Sequence, residues 1–264
     1  MLQSIQLLLM LCAIRKSDRR PVSAYHMVKE QGPFQCPECG DPVVLKTGHN
    51  RINHFAHEHP LATHYSENES DEHRKCKMEI FEALCKLPNV RGAELERPMG
   101  ANRPDIFAYI NGTPVAIEVQ LSNLSVETIM QRTIEYHRKG IYVLWLLPWV
   151  ETLDRSRYMP RSWEKWLHAA YFGRVYYWLR DLEVVSYSFE PHLRTIPKKI
   201  WHAENGKQMI AGGYSRRSKN HRTAVRGRTL NLANDFVPKQ RYWWKGNGIK
   251  VPDAKLFMHE PLHP

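Results

Sequence analysis

The stretch RPDIFAYINGTPVAIEVQ, residues 103–120, decides the fold prediction for this chain. The dipeptide Asn111-Gly112 at its centre is the strongest short signal for a β-hairpin with a two-residue type I′ turn. Closing the turn there sets Asp105 directly opposite Glu118. Side chains placed opposite each other in an antiparallel pair have Cβ atoms about 4.5–5.5 Å apart. The hairpin therefore brings two like charges together.

The two predicted strands alternate between an apolar face and a polar face. The residues expected in the core are Ile106, Ala108, Ile110, Val115, Ile117 and Val119. The opposite face carries Arg103, Asp105, Phe107, Tyr109, Ala116, Glu118 and Gln120. Two facing acids repel and raise one pKa unless a cation lies between them. Oxygen ligands suit magnesium or manganese, and the alternative is a solvated face with Arg103 as a salt-bridge partner.

The segments around the hairpin predict an α/β core. Residues 70–87 have apolar side chains at helical spacing, with Ser70 as the N-cap, and residues 90–96 suit a strand. Residues 125–140 predict a second helix, and the apolar run 141–147 suits a buried parallel strand. The order is helix, three strands, helix, strand, in which the crossover helix joins parallel strands.

Two further segments are expected to be structural. Residues 160–178 predict a helix that stops at Gly173, followed by a strand, and residues 182–189 predict another strand. The aromatic side chains of 160–178 are interpreted as core, the alternative being a platform for stacking bases. The apolar run within residues 1–14 is too short to span a membrane and lacks a preceding basic region, so a first core element is expected.

Cys36 and Cys39 form a C-x2-C pair, and His54 and His57 follow in H-x2-H spacing. A knuckle of this kind brings both thiolates to one tetrahedral ion, which predicts a structural zinc site. The histidine spacing is short for a zinc-finger helix and favours a ribbon or knuckle. His59 or His64 are alternatives for one of the histidines, and free thiols beside a His-rich loop are the alternative to a metal site.

The chain of 264 residues is strongly basic, with a formal net charge of +11, which favours an anionic partner and nucleic acid first. Residues 206–264 hold 12 Lys/Arg against 3 Asp/Glu. This segment is either a solvated tail or a phosphate-binding arm with aromatic residues that stack on bases. The expected nucleic-acid-binding residues are Arg216, Arg217, Lys219, Arg222, Arg226 and Arg228.

The order of these motifs resembles that of the PD-(D/E)XK nuclease superfamily. More closely, the chain resembles the competence protein CoiA family over residues 20–190. The likeness is carried by FQCPECGDPVVLKTG, HFAH, ESDEH, RPDIFAYINGTPVAIEVQLSNLS, RTIEYHRKGIYVLWLL and WEKWLHAAYFGRVYYW. The resemblance implies an N-terminal zinc-binding region, a nuclease-like core, and a role in handling DNA taken up during transformation. It also implies that Asp105 and Glu118 are metal ligands.

Gln120 stands where the superfamily more often has lysine. Gln orients water but carries no charge, so a cation is expected from Lys77 or from Arg132. Arg132 and Tyr136 are four apart and share one helix face, unless they are an ordinary surface pair. Glu72 is a candidate third acid, its alternative being stabilisation of the helix dipole.

Four parts are expected: a zinc module at 1–66, a restriction-endonuclease-like αβββαβ core at 67–150, a helix–strand region at 151–211 and a basic tail at 212–264. The predicted function is a cytoplasmic, metal-dependent deoxyribonuclease with structural zinc and catalytic magnesium or manganese. DNA is the expected partner, together with recombination proteins. The alternative is a catalytically inactive zinc protein that holds DNA during recombination.

Overall fold

The N-terminal part of the chain forms a small antiparallel sheet. The computed structural model describes residues 10–37, 39–48, 53–58, 71–100, 102–120 and 124–260. The sheet has the order β2-β1-β3-β4-β5. Its strands are β1 (Cys12–Arg15), β2 (Arg20–Ser23), β3 (Phe34–Gln35), β4 (Pro42–Lys46) and β5 (His54–His57). Of the predicted first element at 1–14, the structure describes β1, and the rest up to residue 9 lies outside the described residues.

The central part follows the predicted order of helix, three strands, helix and strand. Its elements are α1 (Asp71–Cys85), β6 (Val90–Leu95), β7 (Ile106–Ile110), β8 (Thr113–Val119), α2 (Val126–Arg138) and β9 (Tyr142–Pro148). The Ser125 side chain accepts a hydrogen bond from the Thr128 backbone and caps α2 as predicted. The proposed cap Ser70 lies outside the described residues.

The hairpin between β7 and β8 has the register that the sequence predicts. Ile106 pairs with Ile117, and Ile110 pairs with Thr113. The turn residues Asn111 and Gly112 have φ angles of 50° and 78°, the two left-handed conformations that a type I′ turn requires. The hairpin continues into a larger sheet, because β8 pairs in parallel with β9.

The larger sheet has nine strands, seven of them in the order β14-β11-β10-β9-β8-β7-β6. The strands that complete it come from residues 162–259, where the chain forms α3 (Ser162–Ala170), β10 (Val175–Arg180), β11 (Glu183–Ile196), β12 (Lys199–His202), β13 (Gln208–Ala211), β14 (Tyr214–Asn231), β15 (Phe236–Arg241), β16 (Trp244–Gly246), β17 (Ile249–Val251) and β18 (Ala254–His259). The aromatic residues predicted as core are buried, among them Trp166, Tyr171, Tyr176 and Tyr177. None of the helices in the described residues is long and apolar enough to cross a membrane.

The segment 212–264, expected as a tail, is folded up to residue 259. Strand β14 pairs with β11, and β18 pairs in parallel with β9 through Leu256 and Val143. Leu230, Phe236 and Phe257 of this segment are buried in the main core. The excess of basic residues in this segment led to its interpretation as a tail from the sequence alone. Removing the segment would open the core, so its deletion does not isolate a role in DNA binding.

Candidate active site and metal cluster

Asp105 and Glu118 lie at the open end of the β7–β8 hairpin. Glu118 belongs to β8, and its side chain is only 2% exposed. Asp105 immediately precedes β7, and its Oδ2 atom accepts a hydrogen bond of 2.8 Å from the backbone N–H of Val119. This bond holds the Asp105 carboxylate against the strand that carries Glu118. The Glu118 side chain is therefore buried, and the alternative of a solvated sheet face does not apply to it.

Helix α2 supplies two partners for Glu118. Arg132 donates to Glu118 Oε1 over 2.6 Å, and the hydroxyl of Tyr136 donates to the same oxygen over 2.5 Å. Desolvation raises the pKa of Glu118 to about 8, against the lowering effect of Arg132 and with a further increase from the Asp105 charge. Tyr136 is fully buried, so these two residues are not an ordinary surface pair.

Helix α1 supplies the partners of Asp105. His73 Nε2 lies 3.3 Å from Asp105 Oδ2, and Lys77 Nζ lies 3.6 Å from Oδ1. Burial raises the pKa of Asp105, but the hydrogen bond from His73 and the charge of Lys77 outweigh it, so this pKa is lowered. The two acids therefore differ: Asp105 favours the ionised form, whereas Glu118 is held towards the neutral form.

Glu96 is a third acid at this site that the sequence reading missed. It follows β6, with a left-handed φ of 50°, and accepts from Lys77 Nζ over 2.8 Å. Arg103, the alternative partner proposed for the hairpin acids, instead bonds Glu96 Oε2 over 2.5 Å. Burial raises the pKa of Glu96, but the charges of Lys77 and Arg103 outweigh it and hold this pKa below its ordinary value. Lys77 thus bridges Glu96 and Asp105.

The remaining predicted residues differ in their positions. Gln120 is buried and lies two residues after Glu118. Because side chains alternate along a strand, the two side chains are expected on the same face. Glu72 is exposed at the start of α1, and its neighbour His73 makes the contact with Asp105. The site therefore brings together Asp105, Glu118, Lys77, Arg132 and Tyr136, and their catalytic roles stay predictions.

A second cluster of side chains lies in the N-terminal sheet. One ligand atom each from Cys36, Cys39 and His57 lies within 4.8 Å of the other two. Cys39 Sγ is 3.3 Å from His57 Nε2, close to the separation of about 3.5 Å expected for ligands of one tetrahedral zinc ion. Desolvation is the first cause that raises the pKa of Cys39 to about 11. The cluster fits a metal that favours thiolate and imidazole, such as zinc.

Two family models match this chain in sequence. The N-terminal domain of competence protein CoiA matches residues 17–66, and the nuclease-like domain of competence protein CoiA matches residues 69–197. The chain belongs to the CoiA family. The first match contains the Cys/His cluster, and the second contains both acids of the hairpin. The CoiA matches end before β14.

A curated relative is the competence protein CoiA of Bacillus subtilis (strain 168), which is 27% identical over 118 residues. The similar region spans 43% of this chain and 31% of the relative. The chain therefore matches about a third of the length of that CoiA protein. No solved structure matches the chain.

In the CoiA N-terminal domain, the cluster contains three of the four predicted zinc ligands. His54 and His57 are three residues apart in β5, and side chains alternate along a strand, so they point to opposite faces. His57 joins the cysteines, whereas His54 is buried on the other face. The alternatives His59 and His64 lie outside the described residues. The short spacing that argued against a helix is explained by the strand.

Protein purified without chelator is expected to hold about one zinc per chain, lost in Cys36→Ser and in His57→Ala. Because small zinc modules often fold only with metal, Cys36→Ser should loosen the N-terminal sheet while α1 and α2 stay folded. His54→Gln is the matched control and should retain zinc. Elemental analysis checks the metal, and hydrogen exchange checks the sheet. Metal-free wild type would contradict the zinc assignment.

All six predicted nucleic-acid-binding residues of this CoiA family member lie in β14. Arg216, Arg217 and Lys219 are exposed. The other three have partners within the protein: Arg222 Nη1 donates to three backbone carbonyls of its own strand, Arg226 lies 3.8 Å from Asp154, and Arg228 lies 3.9 Å from Asp235.

Proposed function

We propose that this CoiA family protein is a metal-dependent deoxyribonuclease that hydrolyses phosphodiester bonds in DNA. The observation that carries the proposal is the pair of Asp105 and Glu118 at the open end of the hairpin, with Lys77 of α1 3.6 Å from Asp105 and Arg132 of α2 2.6 Å from Glu118. The match to a nuclease-like domain supports the same reaction class. The name of the relative supports a place in competence, as processing of incoming DNA before recombination.

The donor set at the hairpin fits a hard divalent cation. Two carboxylates supply the oxygen ligands that magnesium and manganese prefer. Desolvation first, and the Asp105 charge after it, raise the pKa of Glu118, so the ionised carboxylate is unfavourable there and a bound cation would stabilise it. When bound, magnesium or manganese would supply a Lewis acid for the phosphate and lower the pKa of a water molecule.

The protein's own side chains position the substrate and the reacting groups. Arg132 offers its remaining guanidinium N–H groups to a phosphate beside Glu118, while Tyr136 fixes the orientation of that carboxylate. Lys77 is held by Glu96 and Asp105, and it supplies the positive charge that Gln120 lacks. Gln120 has the amide that orients an attacking water.

The second candidate is a catalytically inactive DNA-binding protein, which Gln120 favours because it removes the usual lysine. The deciding experiment is a cleavage panel. Purified protein is incubated with single-stranded, duplex and branched DNA in magnesium, in manganese and in EDTA. We expect cleavage of at least one form with metal and none in EDTA. If the protein holds zinc and binds DNA but cleaves none of these DNA forms, the result would favour the inactive DNA-binding protein.

Gln120 has an expected role that two substitutions separate. Gln120→Ala should lower the cleavage rate by about 100-fold, because losing one oriented donor typically costs about 10²–10³. Gln120→Lys restores the commoner pattern and should retain cleavage. Single-turnover rates at saturating DNA measure both. Equal rates for Gln120→Ala and wild type would show that Gln120 takes no part in the chemistry.

A further inference from the structure

The strands β11 and β14 continue beyond the sheet as a two-stranded ribbon. Strand β10 pairs with β11 only as far as Tyr187, whereas the pairing of β11 with β14 continues to Ile196 and Tyr214. Past the Pro191–Arg222 pair, each of the two strands pairs only with the other in the part of the chain that the structure describes. We call residues 193–219 the ribbon.

The base of the ribbon is fastened to the protein body. Tyr158 and Arg222 exchange two backbone hydrogen bonds of 2.8 and 2.7 Å, and the Tyr158 ring stacks on Phe189. The pairing shifts register between Pro191 and Leu193, and Arg222 Nη1 donates to the carbonyls of Ser218, Lys219 and His221 in the bulge of its own strand. This arginine therefore anchors the ribbon.

The ribbon ends in a separate small hairpin, β12–β13. We call the paired residues 193–196 and 214–219 the stem and the β12–β13 hairpin the tip. Gly212 and Gly213 have φ angles of 80° and 78°, and the Gly213 N–H donates to the Ile196 carbonyl where the stem meets the tip. A Cβ atom on Gly212 would lie 2.0 Å from the Pro197 carbonyl oxygen, so only glycine fits this approach. The chain thus builds a defined junction between stem and tip.

The ribbon is strongly basic. It contains one acidic residue, Glu204, and seven basic ones. The basic residues are Arg194, Lys198, Lys199, Lys207, Arg216, Arg217 and Lys219. Arg194 and Arg216 are direct cross-strand partners, an arrangement that is destabilising without an anion between or beside them. Among the described residues, none of the seven forms an ion pair; the nearest such pairs, of Arg226 and Arg228, lie at the base. An anionic partner would offset this repulsion.

The tip exposes large apolar side chains on both of its faces. Ile200 pairs with Ile210, and Trp201 pairs with Met209, so neighbouring pairs point in opposite directions. Trp201 is 46% exposed and Ile210 is 57% exposed. Exposed apolar side chains that cluster in this way mark an interaction surface.

We propose that the ribbon is a duplex-DNA-binding arm, with the stem cations on phosphates and the tip in a groove. A two-stranded ribbon fits the major groove of B-DNA, which is about 12 Å wide. Apolar side chains such as those of the tip can contact the methyl groups of thymine in that groove. The excess of cations selects a polyanion over a neutral protein surface. Proteins that bind single-stranded DNA hold it in a basic groove of their own, with aromatic side chains on which bases stack. A ribbon that projects from the sheet instead favours insertion into a groove of the duplex.

The arm proposal shares with the proposed nuclease function only the choice of DNA as the partner. The two are separable because the arm binds without metal, whereas cleavage needs the hairpin acids. If both hold, the arm grips duplex DNA flanking the cleavage site. The ribbon's return strand lies outside the regions that match the CoiA models.

The test measures binding by fluorescence anisotropy in EDTA, so that no cleavage occurs. The probes are a labelled 30-base-pair duplex and its single strand, over a series of salt concentrations. The variant R194Q/R216Q/R217Q removes three stem charges, and K16Q/K86Q/R91Q removes three exposed charges from other elements. Trp201→Ala tests the tip. The six substituted cations are exposed, so the charge variants should remain folded. Melting temperatures check the folding of these variants and of Trp201→Ala.

We expect the stem variant to bind duplex at least tenfold more weakly at 0.15 M salt, with a salt slope smaller by about 3, because each lost phosphate contact removes about 0.9 from the slope. The remote variant should change affinity less than threefold, and Trp201→Ala should weaken duplex binding about tenfold, as loss of a base contact does. Equal losses in the stem and remote variants would overturn the arm. Tighter binding of the single strand, lost in the stem variant, would overturn the duplex assignment.

Discussion

Glu118→Gln should abolish metal-dependent DNA cleavage while the protein stays folded. The substitution keeps the shape and the acceptor oxygen for Arg132 and Tyr136 but removes the charge that a divalent cation needs. Because burial raises the pKa of Glu118 to about 8, its carboxyl group is largely neutral at pH 7 without metal, and glutamine is a close mimic of it. We expect the cleavage rate to fall at least about 1000-fold, the value of several kcal/mol of lost transition-state stabilisation.

The controls distinguish chemistry from binding and folding. Duplex affinity in EDTA should be equal or slightly higher in Glu118→Gln, because only the small ionised fraction of Glu118 at pH 7 repels phosphates in the wild type. Asp105→Ala should also abolish cleavage, but it additionally breaks the hydrogen bond from Val119 and should lower the melting temperature. If either variant cuts DNA as fast as wild type, the facing carboxylates are not the nuclease site.

Lys77→Met should destabilise the metal-free protein by about 3 kcal/mol, because removing one partner of a buried ion pair leaves a buried charge uncompensated. The Lys77 side chain is 2% exposed and contacts both Glu96 and Asp105. Arg103 and His73 remain beside these acids, which places the effect at the low end of the usual range for buried pairs. Chemical denaturation gives the free energy of unfolding.

Two matched variants make the Lys77 result specific. Lys75 lies on the same helix, is 74% exposed, and is 3.7 Å from Glu79, so Lys75→Met should cost less than about 0.5 kcal/mol. Lys77→Met combined with Glu96→Gln removes one unpaired charge and should recover part of the lost stability. Similar losses in the Lys75 and Lys77 variants, or no recovery in the double variant, would show that Lys77 is not the bridge between the acids.

The hairpin site was predictable because its geometry is local. Asn111-Gly112 fixes the turn, the turn fixes the register, and the register pairs Ile106 with Ile117, next to Asp105 and Glu118. The Ser125 cap similarly fixes where α2 begins, and hence which face presents Arg132 and Tyr136. These predictions needed only neighbours in sequence.

The residues that the sequence reading missed depend on long-range pairing. The β6–β7 register shifts between Arg91 and Glu94, so alternation along β6 does not indicate which side Glu96 takes. His73 carried a usable signal, because it lies four residues before Lys77 and thus on the same face of α1. Glu72, one residue earlier, faces solvent.

The return strand of the ribbon, from residue 212 onward, was interpreted as part of a tail for a different reason. Sequence patterns reveal a strand when one face is buried and the other is solvated. Most side chains of β14 from residue 214 to 229 are exposed or half-buried on both faces, so no alternation appears. A free two-stranded ribbon therefore looks like a charged, unfolded segment until its partner strand is known.

The pairing of β18 with β9 also governs how the protein is made. Leu256 leaves the ribosome about a hundred residues after its partner Val143, a delay of roughly ten seconds at about 5–20 residues per second. Until then, the start of β9 lacks one neighbour, and the face of α2 that packs against β18 is uncovered. The nascent chain thus carries an open strand edge that invites mispairing while the ribbon is being synthesised. Completion of the sheet is therefore a late event in synthesis, and the nascent chain is most open to mispairing in the interval between synthesis of β9 and synthesis of β18.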